Sequence, residues 1–536
     1  MTISAPSELW KAVRTNSGKS SFNDSSKKFL VDPDRINRFF ANVSVTKDYT
    51  VQDVLNMRKD STVQPDEQDS VVATEYDIEY MLSHLKNSSP GIDEIPSWVF
   101  KNCSVEVAEI IAYIINKTIE SGKIPDNWKV AIVTPIPKLP NPKSISDYRP
   151  ISVTPILSRI AEKFIVNNYL KPALPVENLQ DQYAYKFTGS TNCALIQTLN
   201  FISASLDCNS NNQRVGAIAI DFSKAFDTVD HVILLNKLCK LKIPNSVYNW
   251  IISFLTNRRQ IVRIGADKSN IENINLGIVQ GSVLGPFLFI IMLSDLSPIS
   301  IDNCIVKYAD DTTLLVPESS RVTLRQEYHN VKNYAKDNKM KINEKKTKYM
   351  LFSNPRFKGG AIDIFDEIEF VKKMKLLGVT LDNKLSFHDH VSFVLSVCSQ
   401  RFYLLKLLRD QGMPLHCLHV VYVSLVVNRI AYCLSAWGGN VKQDDADKIN
   451  SLFRKAKKYG FTDTIFDFGG LLEYYDENMF TQIQYSNHCL HHLLQSHRQG
   501  AMDLRDRGHR YSLPKCINNV YKNSCIPRLL FKNINV

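Results

Sequence analysis

The sequence predicts an α/β or α+β fold followed by a helical C-terminal region. Up to about residue 390, segments with helical spacing of apolar residues alternate with short apolar runs typical of strands. After that point the pattern is mostly helical. A chain of 536 residues is long enough for roughly two to four domains with full hydrophobic cores.

The predicted elements follow one another in a regular order. Helical periodicity predicts helices over residues 77–86, 105–119, 158–170 and 231–241. Short apolar runs predict strands over 129–137, 215–220 and 260–264, and a hairpin over 305–316 whose turn is acidic. No internal repeat is visible.

Residues 1–74 differ from the rest in composition. They are rich in Ser, Asn, Asp and Lys, with one apolar helical patch at 36–43, and predict a partly ordered polar linker. They contain no histidine and are too few for a separate nuclease domain. We therefore expect no DNA-cutting site in this chain.

Charge and cysteine usage narrow the class of protein. Lys and Arg number 65 against 54 Asp and Glu, a net charge of +11 that suits a polyanionic partner, although mildly basic proteins are common. The 11 cysteines are scattered, which indicates reduced thiols in an intracellular protein. The N-terminus has no signal-peptide core, and the strongest apolar run, 286–293, is shorter than the ~20 residues of a membrane helix. Secretion and membrane insertion are not expected.

Three acids occupy strand ends. Asp221 follows an apolar strand, and Asp310 and Asp311 are adjacent at the predicted hairpin turn. Buried acids are costly unless cations pair with them, and two divalent metals meet that need in phosphoryl transfer. A solvated turn is the alternative for an Asp pair, but apolar strands on both sides favour a metal site.

Motifs around these acids resemble those of reverse transcriptases. Tyr308-Ala309-Asp310-Asp311 is similar to their Y-x-D-D box, residues 219–227 (AIDFSKAFD) to the box of the first catalytic aspartate, and residues 277–286 (GIVQGSVLGP) to the template and nucleotide box between them. Further motifs at 128–138, 148–152, 343–348 and 376–379 resemble those of non-LTR, LINE-type and jockey-like retrotransposons.

The resemblance covers roughly residues 75–535. It implies an α+β right-hand polymerase with fingers, palm and thumb, acting as an RNA-directed DNA polymerase. It divides the chain into 75–214 (fingers with the start of the palm), 118–382 (the reverse transcriptase domain of fingers and palm) and 383–536 (helical thumb and C-terminal region). The implied partners are an RNA template, a DNA primer or target, and dNTPs. The resemblance also implies that the protein acts in the nucleus, and no membrane partner is expected.

The resemblance also implies a metal site. Asp221, Asp310 and Asp311 would be catalytic and, with the backbone carbonyl of Phe222, would bind two Mg²⁺ ions, with Mn²⁺ as an alternative. Asp227 has a different expected role, because it precedes a predicted helix that it would cap together with Asp230.

Four residues are implied to contact the sugar and the phosphates of the incoming nucleotide. Phe226 would fill the space of a ribose 2′-hydroxyl, or else would be an ordinary core residue. Lys138 and Arg149 would hold the triphosphate, or else would be part of a solvated strand end. Lys346 would protonate the pyrophosphate, or else would belong to a solvated basic face.

The templating base pair has its own implied contacts. Gln280 and Gly281 would lie against it, because glycine permits close approach of the backbone. A plain turn before the following helix is the alternative.

Other residues are candidates for contacting nucleic acid or zinc. The resemblance gives Tyr308 a nucleic-acid contact, and a basic cluster could track a phosphate backbone or be ordinary surface. That cluster consists of Arg454, Lys455, Lys457 and Lys458. In the tail, His488, His492 and His497 have the spacing of half a zinc site, and relatives carry a Cys/His knuckle near this end. The cysteine half, C-x₂₋₄-C, is missing, which favours an ordinary helix face.

Three other functions fit the sequence less well. A viral RNA-dependent RNA polymerase usually has glycine before its aspartates, and here Tyr308-Ala309 stands there. A group II intron maturase would have a recognisable pattern in the tail. A catalytically inactive remnant, or a domesticated nucleic-acid-binding protein, is opposed by the intact Asp221, Asp310 and Asp311.

Overall fold

Two five-stranded sheets and a C-terminal set of helices organise the chain in its computed structural model. The structure describes residues 32–42, 58, 72–174, 179–207, 213–353, 365–495, 509 and 511–534. Most of the predicted linker, 1–74, lies outside the described residues.

The strands fall between residues 130 and 382. In chain order they are β1 Val130–Pro137, β2 Tyr148–Val153, β3 Arg214–Ile220, β4 Arg258–Ile264, β5 Asp267–Lys268, β6 Glu272–Ile274, β7 Cys304–Tyr308, β8 Asp311–Pro317, β9 Lys348–Ser353, β10 Glu369–Phe370, β11 Lys373–Leu376 and β12 Val379–Asp382.

Helices separate these strands and dominate after them. In chain order they are α1 Pro33–Ala41, α2 Glu75–Ser83, α3 Ser97–Asn102, α4 Ser104–Ser121, α5 Ile156–Ile165, α6 Lys171–Ala173, α7 Thr191–Ser205, α8 His231–Leu238, α9 Asn245–Leu255, α10 Gly285–Met292, α11 Leu324–Asp337, α12 His388–Asp410, α13 Leu415–Tyr422, α14 Asn428–Ala431, α15 Leu434–Trp437, α16 Gln443–Lys458, α17 Phe468–Ile483, α18 Asn519–Lys522 and α19 Cys525–Lys532.

The eight elements predicted from periodicity are confirmed, with bounds shifted by a few residues. The helices correspond to α2, α4, α5 with its π-helical continuation Val166–Leu170, and α8. The strands correspond to β1, β3 and β4, and the acidic hairpin to β7 and β8. The apolar patch at 36–43 is the core of α1, which begins at a proline capped by the Asp32 side chain.

The first sheet has the order β2-β1-β4-β5, with β6 paired to β4. β1 runs antiparallel to β2 and parallel to β4. Helix α1 packs on this sheet, because its buried Ile36 and Phe40 share a small core with Val133 and Val262. Asn37 fixes its position, since it accepts a hydrogen bond from Gln260 Nε2 at 2.8 Å.

The second sheet has the order β10-β9-β3-β8-β7. β3 is central and antiparallel to both neighbours, β8 and β9. Gly216 in β3 leaves room for α11, because a Cβ there would lie 2.6 Å from Leu324 Cδ2. The central position of β3 brings the end of this strand next to the β7–β8 hairpin.

Two hydrophobic cores hold these parts together. One joins helices α2 to α5 and α8 to α11 with one face of the second sheet. The other joins the opposite face of that sheet, helix α7, the β11–β12 hairpin and the C-terminal helices. The second core therefore crosses residue 383, and the assignment of 383–536 as a thumb stays a prediction.

Two helical stretches, His388–Asp410 and Leu415–Asn440, are long and apolar enough to cross a membrane by length and composition alone. Both carry side chains of the second core, such as Val394 and Val426. Because core helices of soluble proteins can have the same length and composition, these two stretches do not test the prediction that the chain does not insert into a membrane. It stays a prediction.

Candidate active site

The three predicted carboxylates come together at one end of the second sheet. Asp221 directly follows β3, whose last residue, Ile220, is paired with Thr312 of β8. Asp310 lies in the two-residue turn between β7 and β8, and Tyr308 and Asp311 are the pair that closes it. Antiparallel pairing therefore puts the acid at the end of β3 next to the acids of the hairpin.

The turn that carries Asp310 is held from outside the hairpin. Ala309 has a positive φ of 56°, which a non-glycine residue adopts only at a cost. Its N–H donates to the side-chain Oε1 of buried Gln182 at 3.1 Å, and Ala184 N–H donates to the same oxygen at 2.9 Å. The backbone of the neighbouring Tyr183 bonds to the Lys307 carbonyl of β7 at 2.9 Å. The segment around Gln182 thus fixes the shape of the acidic turn.

The acids are poorly compensated within the protein. Desolvation, followed by the charges of Asp310 and Asp221, raises the pKa of Asp311 to about 6. Burial also raises the pKa of Asp310, and the charge of Asp221 adds to this shift. Lys346 is a basic neighbour, with its Nζ 3.7 Å from Asp221 Oδ2. Mutually repelling carboxylates of this kind fit divalent cations, which prefer oxygen ligands.

A cleft of about 650 Å³ opens at these acids. Its lining includes eight residues predicted for the site, namely Lys138, Arg149, Asp221, Phe222, Phe226, Gln280, Asp310 and Lys346. Asp311 and Tyr308 instead line an adjoining crevice, which Asp221 and Lys346 also border. One region of the surface therefore gathers most of the predicted site.

Cations converge on the cleft. Lys138 lies just after β1, and its Nζ donates to the Ser146 carbonyl at 2.8 Å. Burial, and then the positive charges of Lys346, Arg149 and Lys224, lower the pKa of Lys138. Positive charges crowded at the mouth of a cleft suit a polyphosphate, since its oxygens can accept hydrogen bonds from several cations at once.

The loop before α10 forms another wall of the cleft. Ser152 N–H of β2 donates to the Gln280 carbonyl at 2.7 Å. Gly281 has φ +117°, and a Cβ there would lie 2.3 Å from the Ser152 carbonyl oxygen. Only glycine fits this approach of two backbones.

The expected role of Asp227 was wrong. Asp230 alone caps α8, by accepting a hydrogen bond from Ile233 N–H at 3.1 Å. Asp227 lies in the cleft and accepts a hydrogen bond from Gln280 Nε2 at 2.6 Å. The loop of Gln280 folds back onto this carboxylate, a tertiary contact that helix-capping rules do not contain.

Phe226 packs against the core and also faces the cleft. It lines the cleft, and its ring stacks on buried Phe289 with 4.4 Å between centroids. Packing thus holds the ring in place beside the nucleotide space. Its predicted role in sugar selection stays a prediction.

Sequence reasoning missed the contribution of α1. Phe39 and Phe40 line the cleft, and Lys224 Nζ lies over the Phe39 ring, 4.8 Å from its centroid. The apolar patch at 36–43 was the available signal, but nothing in it indicated which sheet the helix would cover.

The basic cluster does not line the cleft. Its residues, Arg454, Lys455, Lys457 and Lys458, are exposed on the last turns of α16. Their contact with nucleic acid stays a prediction.

A known protein family matches the part of the chain that carries the acids. Residues 136–381 match the family described as reverse transcriptase (RNA-dependent DNA polymerase). This match contains the second sheet, the first sheet except most of β1, and all three carboxylates.

Among curated proteins, the RNA-directed DNA polymerase from mobile element jockey of Drosophila melanogaster is 28% identical over 375 residues, which are 65% of this chain and 40% of that protein. The probable RNA-directed DNA polymerase from transposon BS of the same organism is 29% identical over 433 residues, or 77% of this chain and 47% of that protein. The chain spans less than half the length of these two relatives.

Among solved structures, apo telomerase from Candida tropicalis, truncated from the C-terminal domain, has a TM-score of 0.34 and 14% identity, covering 55% of this chain and 61% of that one.

Proposed function

We propose that this chain, which is similar to reverse transcriptases over residues 136–381, is an RNA-directed DNA polymerase of a non-LTR retrotransposon. It would extend a nucleic-acid 3′ end with dNTPs on an RNA template. The observation that carries the proposal is the meeting of Asp221, Asp310 and Asp311 where a cleft rimmed by cations adjoins a second crevice.

The residues present fit divalent metal ions. Asp221, Asp310, Asp311 and the backbone carbonyl of Phe222 would hold two Mg²⁺ ions, with Mn²⁺ as an alternative. Burial, and then repulsion from neighbouring carboxylates, raise the pKa values of the hairpin acids, and bound cations would relieve that repulsion. When bound, such ions supply activation of the primer 3′-hydroxyl and stabilisation of the leaving pyrophosphate.

The chain's own side chains would bind and orient the nucleotide. Lys138 and Arg149 would neutralise the triphosphate from the β1–β2 side of the cleft. Lys346, whose Nζ lies 3.7 Å from Asp221 Oδ2, would donate a proton to the departing pyrophosphate. Phe226 would exclude a ribose 2′-hydroxyl, and Gln280 with Gly281 would lie against the templating base pair.

A primer-extension assay tests this function. Purified protein with poly(rA)/oligo(dT), dTTP and Mg²⁺ should lengthen the primer, and Asp311→Asn should not. The matched control is Asp366→Asn, which removes an exposed acid away from the cleft and should extend normally. RNA binding without extension by the unmodified chain would contradict the proposal and favour a non-catalytic nucleic-acid-binding protein.

We also propose that the protein acts in the nucleus, because chromosomal DNA is the implied primer, and that it does so without inserting into a membrane. Imaging of the tagged chain together with carbonate extraction of cell membranes would test both points. Cytoplasmic retention or alkali-resistant membrane association would contradict them.

A further inference from the structure

We propose that Cys193, His488 and Cys489 bind a zinc ion that fastens the C-terminal tail to helix α7. A ligand atom from each of these residues lies within 4.8 Å of the other two. All three side chains are buried, with exposed fractions of 2%, 7% and 5%. The tail alone lacks the C-x₂₋₄-C pair of a zinc knuckle, and the structure supplies a second thiol from a helix 295 residues earlier in the chain (488 − 193).

The backbone around Thr188 has the spacing of a tetrahedral site. Its carbonyl oxygen lies 3.5 Å from Cys193 Sγ and 3.4 Å from Cys489 Sγ. Zinc bonds of about 2.3 Å to sulfur and about 2.1 Å to oxygen place the two ligand atoms about 3.6 Å apart at a tetrahedral angle. The Thr188 carbonyl is therefore placed as the fourth ligand. Among the described residues, no other Cys, His, Asp or Glu joins this cluster.

Surrounding groups hold the thiols in the orientation that a metal needs. Ser190 caps α7 and donates a hydrogen bond from its hydroxyl to Cys193 Sγ at 3.2 Å. Cys489 N–H donates to Thr188 Oγ1 at 2.8 Å. The Ser190 donor favours the thiolate of Cys193, the metal-binding form, and opposes the effects of Cys489 and of burial, which raise the pKa of Cys193.

The charges are suited to burial. The hydrogen bond between the two thiols lowers the pKa of Cys489 and, together with burial, raises the pKa of Cys193, so the protein alone stabilises one thiolate of the pair. A bound zinc ion would displace the proton of the second thiol. Burial lowers the pKa of His488, so its imidazole is neutral at physiological pH. His488 Nδ1 accepts the Leu490 N–H across 3.2 Å, and a cation could replace this long hydrogen bond. Two thiolates, a neutral imidazole and Zn²⁺ together carry no net charge, which lowers the cost of burying them.

The competing explanation is a metal-free pair of thiols. In that case both S–H groups donate to the Thr188 carbonyl, or the two sulfurs form a disulfide, and neither arrangement needs His488. Metal content and its dependence on His488 therefore separate the explanations.

The test is the zinc content of the full chain after dialysis against Zn²⁺ and then metal-free buffer. We expect about one zinc per chain, and a loss to a small fraction of that in Cys193→Ala, His488→Ala and Cys489→Ala. Cys525→Ala is the matched control, because Cys525 is buried in the same core but outside the cluster, and it should keep the metal. With Co²⁺ in place of zinc, the unmodified chain should show a thiolate-to-cobalt charge-transfer band that Cys193→Ala lacks.

A measurement on the unmodified chain guards against variants that fail to fold. A zinc chelator should increase proteolytic cleavage near residues 488–495, and added zinc should reverse this. A chain that stays metal-free after zinc loading, or that keeps its zinc in Cys193→Ala, would overturn the proposal. So would a Cys193–Cys489 disulfide found by mass spectrometry under non-reducing conditions.

Discussion

Buried acids in two regions of the molecule have opposite surroundings. Glu162 of α5 is fully buried and accepts hydrogen bonds from Val283 N–H (2.7 Å), Leu284 N–H (3.0 Å) and the Ser158 hydroxyl (3.0 Å). Glu327 of α11 is likewise fully buried and surrounded by donors. Each of these carboxylates connects its helix to a loop distant in sequence.

Asp311 at the end of the second sheet lacks such donors. Within the described residues, no hydrogen bond to its carboxylate is found, and burial, followed by its acidic neighbours, raises its pKa. The difference suggests a way to separate structural acids from functional ones. A structural acid receives hydrogen bonds from the chain, whereas under the proposed function Asp311 would be compensated by a bound cation.

The strongest way to break this comparison is to neutralise the acidic turn. Asp310→Asn and Asp311→Asn should each lower dNTP incorporation about a thousand-fold or more, because each removes a metal ligand. The free energy of unfolding without metal should not fall, since repulsion among the acids is relieved. Primer extension and chemical denaturation measure the two effects. Near-normal primer extension, or a marked fall in the free energy of unfolding, would show that these acids have a structural role and not a catalytic one.

The converse experiment addresses the structural acid. Glu162→Ala should lower the free energy of unfolding by about 2–4 kcal/mol, because Val283 and Leu284 N–H groups lose their acceptor in a buried place. Urea denaturation measures this. Glu109→Ala, at an exposed position of α4, is the control and should stay within about 0.5 kcal/mol of the unmodified chain. Equal effects of the two substitutions would contradict the distinction.

The pH dependence of metal binding sharpens the comparison. The pKa of Asp311 in the folded chain, about 6, is above its ordinary value of 3.8. Its contribution to metal-free stability is therefore fully present below that ordinary value and is lost as the pH rises through about 6. A divalent cation needs the ionised form, so the increase in Tm caused by Mg²⁺ should grow from about pH 5 to about pH 7. Thermal unfolding measures this, and a Tm increase that does not change with pH would count against metal binding at Asp311.

Phe226 tests whether a packed side chain can also serve the cleft. Phe226→Val should raise rNTP use relative to dNTP use by about ten-fold or more, because it opens space for a 2′-hydroxyl. The ratio of the two kcat/KM values measures this. Phe289→Leu, which alters only the stacking partner, is the control and should change the ratio much less. An unchanged ratio in Phe226→Val would leave the residue with a packing role alone.

The basic cluster on α16 is a second group of like charges whose role can be tested. Its four cations have no acidic partner among the described residues. Replacing Arg454, Lys455, Lys457 and Lys458 together with Gln should weaken nucleic-acid binding for all sequences alike. The slope of log affinity against log salt should become shallower by about 0.7–0.9 for each phosphate that the variant no longer neutralises. Lys101→Gln with Lys123→Gln is a surface control, and equal slopes in both variants would make the cluster ordinary surface.

Local patterns predicted part of the fold and the strand ends that carry the three acids. Apolar periodicity located the eight elements, and the strand end at Asp221 and the hairpin turn at Asp310 and Asp311 were visible as breaks in apolar runs. Patterns of this kind are short in range, because they record which face of one helix or strand is buried.

Long-range contacts could not be read in the same way. The role of Asp227 depends on a loop 53 residues later, and the pairing of Thr188 with Cys489 spans 301 residues. Phe39 reaches the cleft only because α1 covers the first sheet. Such pairings depend on the three-dimensional arrangement, which one sequence does not specify through spacing.

Gly265 and Gly281 should differ in how well they tolerate substitution, because only Gly281 lies against another backbone segment. Gly265, in the turn between β4 and β5, has φ +65° but nothing within 4 Å of its missing Cβ, so asparagine or aspartate should be accepted there at a modest cost. At Gly281 a single methyl group would collide with the Ser152 carbonyl. In a library of all single substitutions, position 265 should therefore return several viable residues, and position 281 glycine alone.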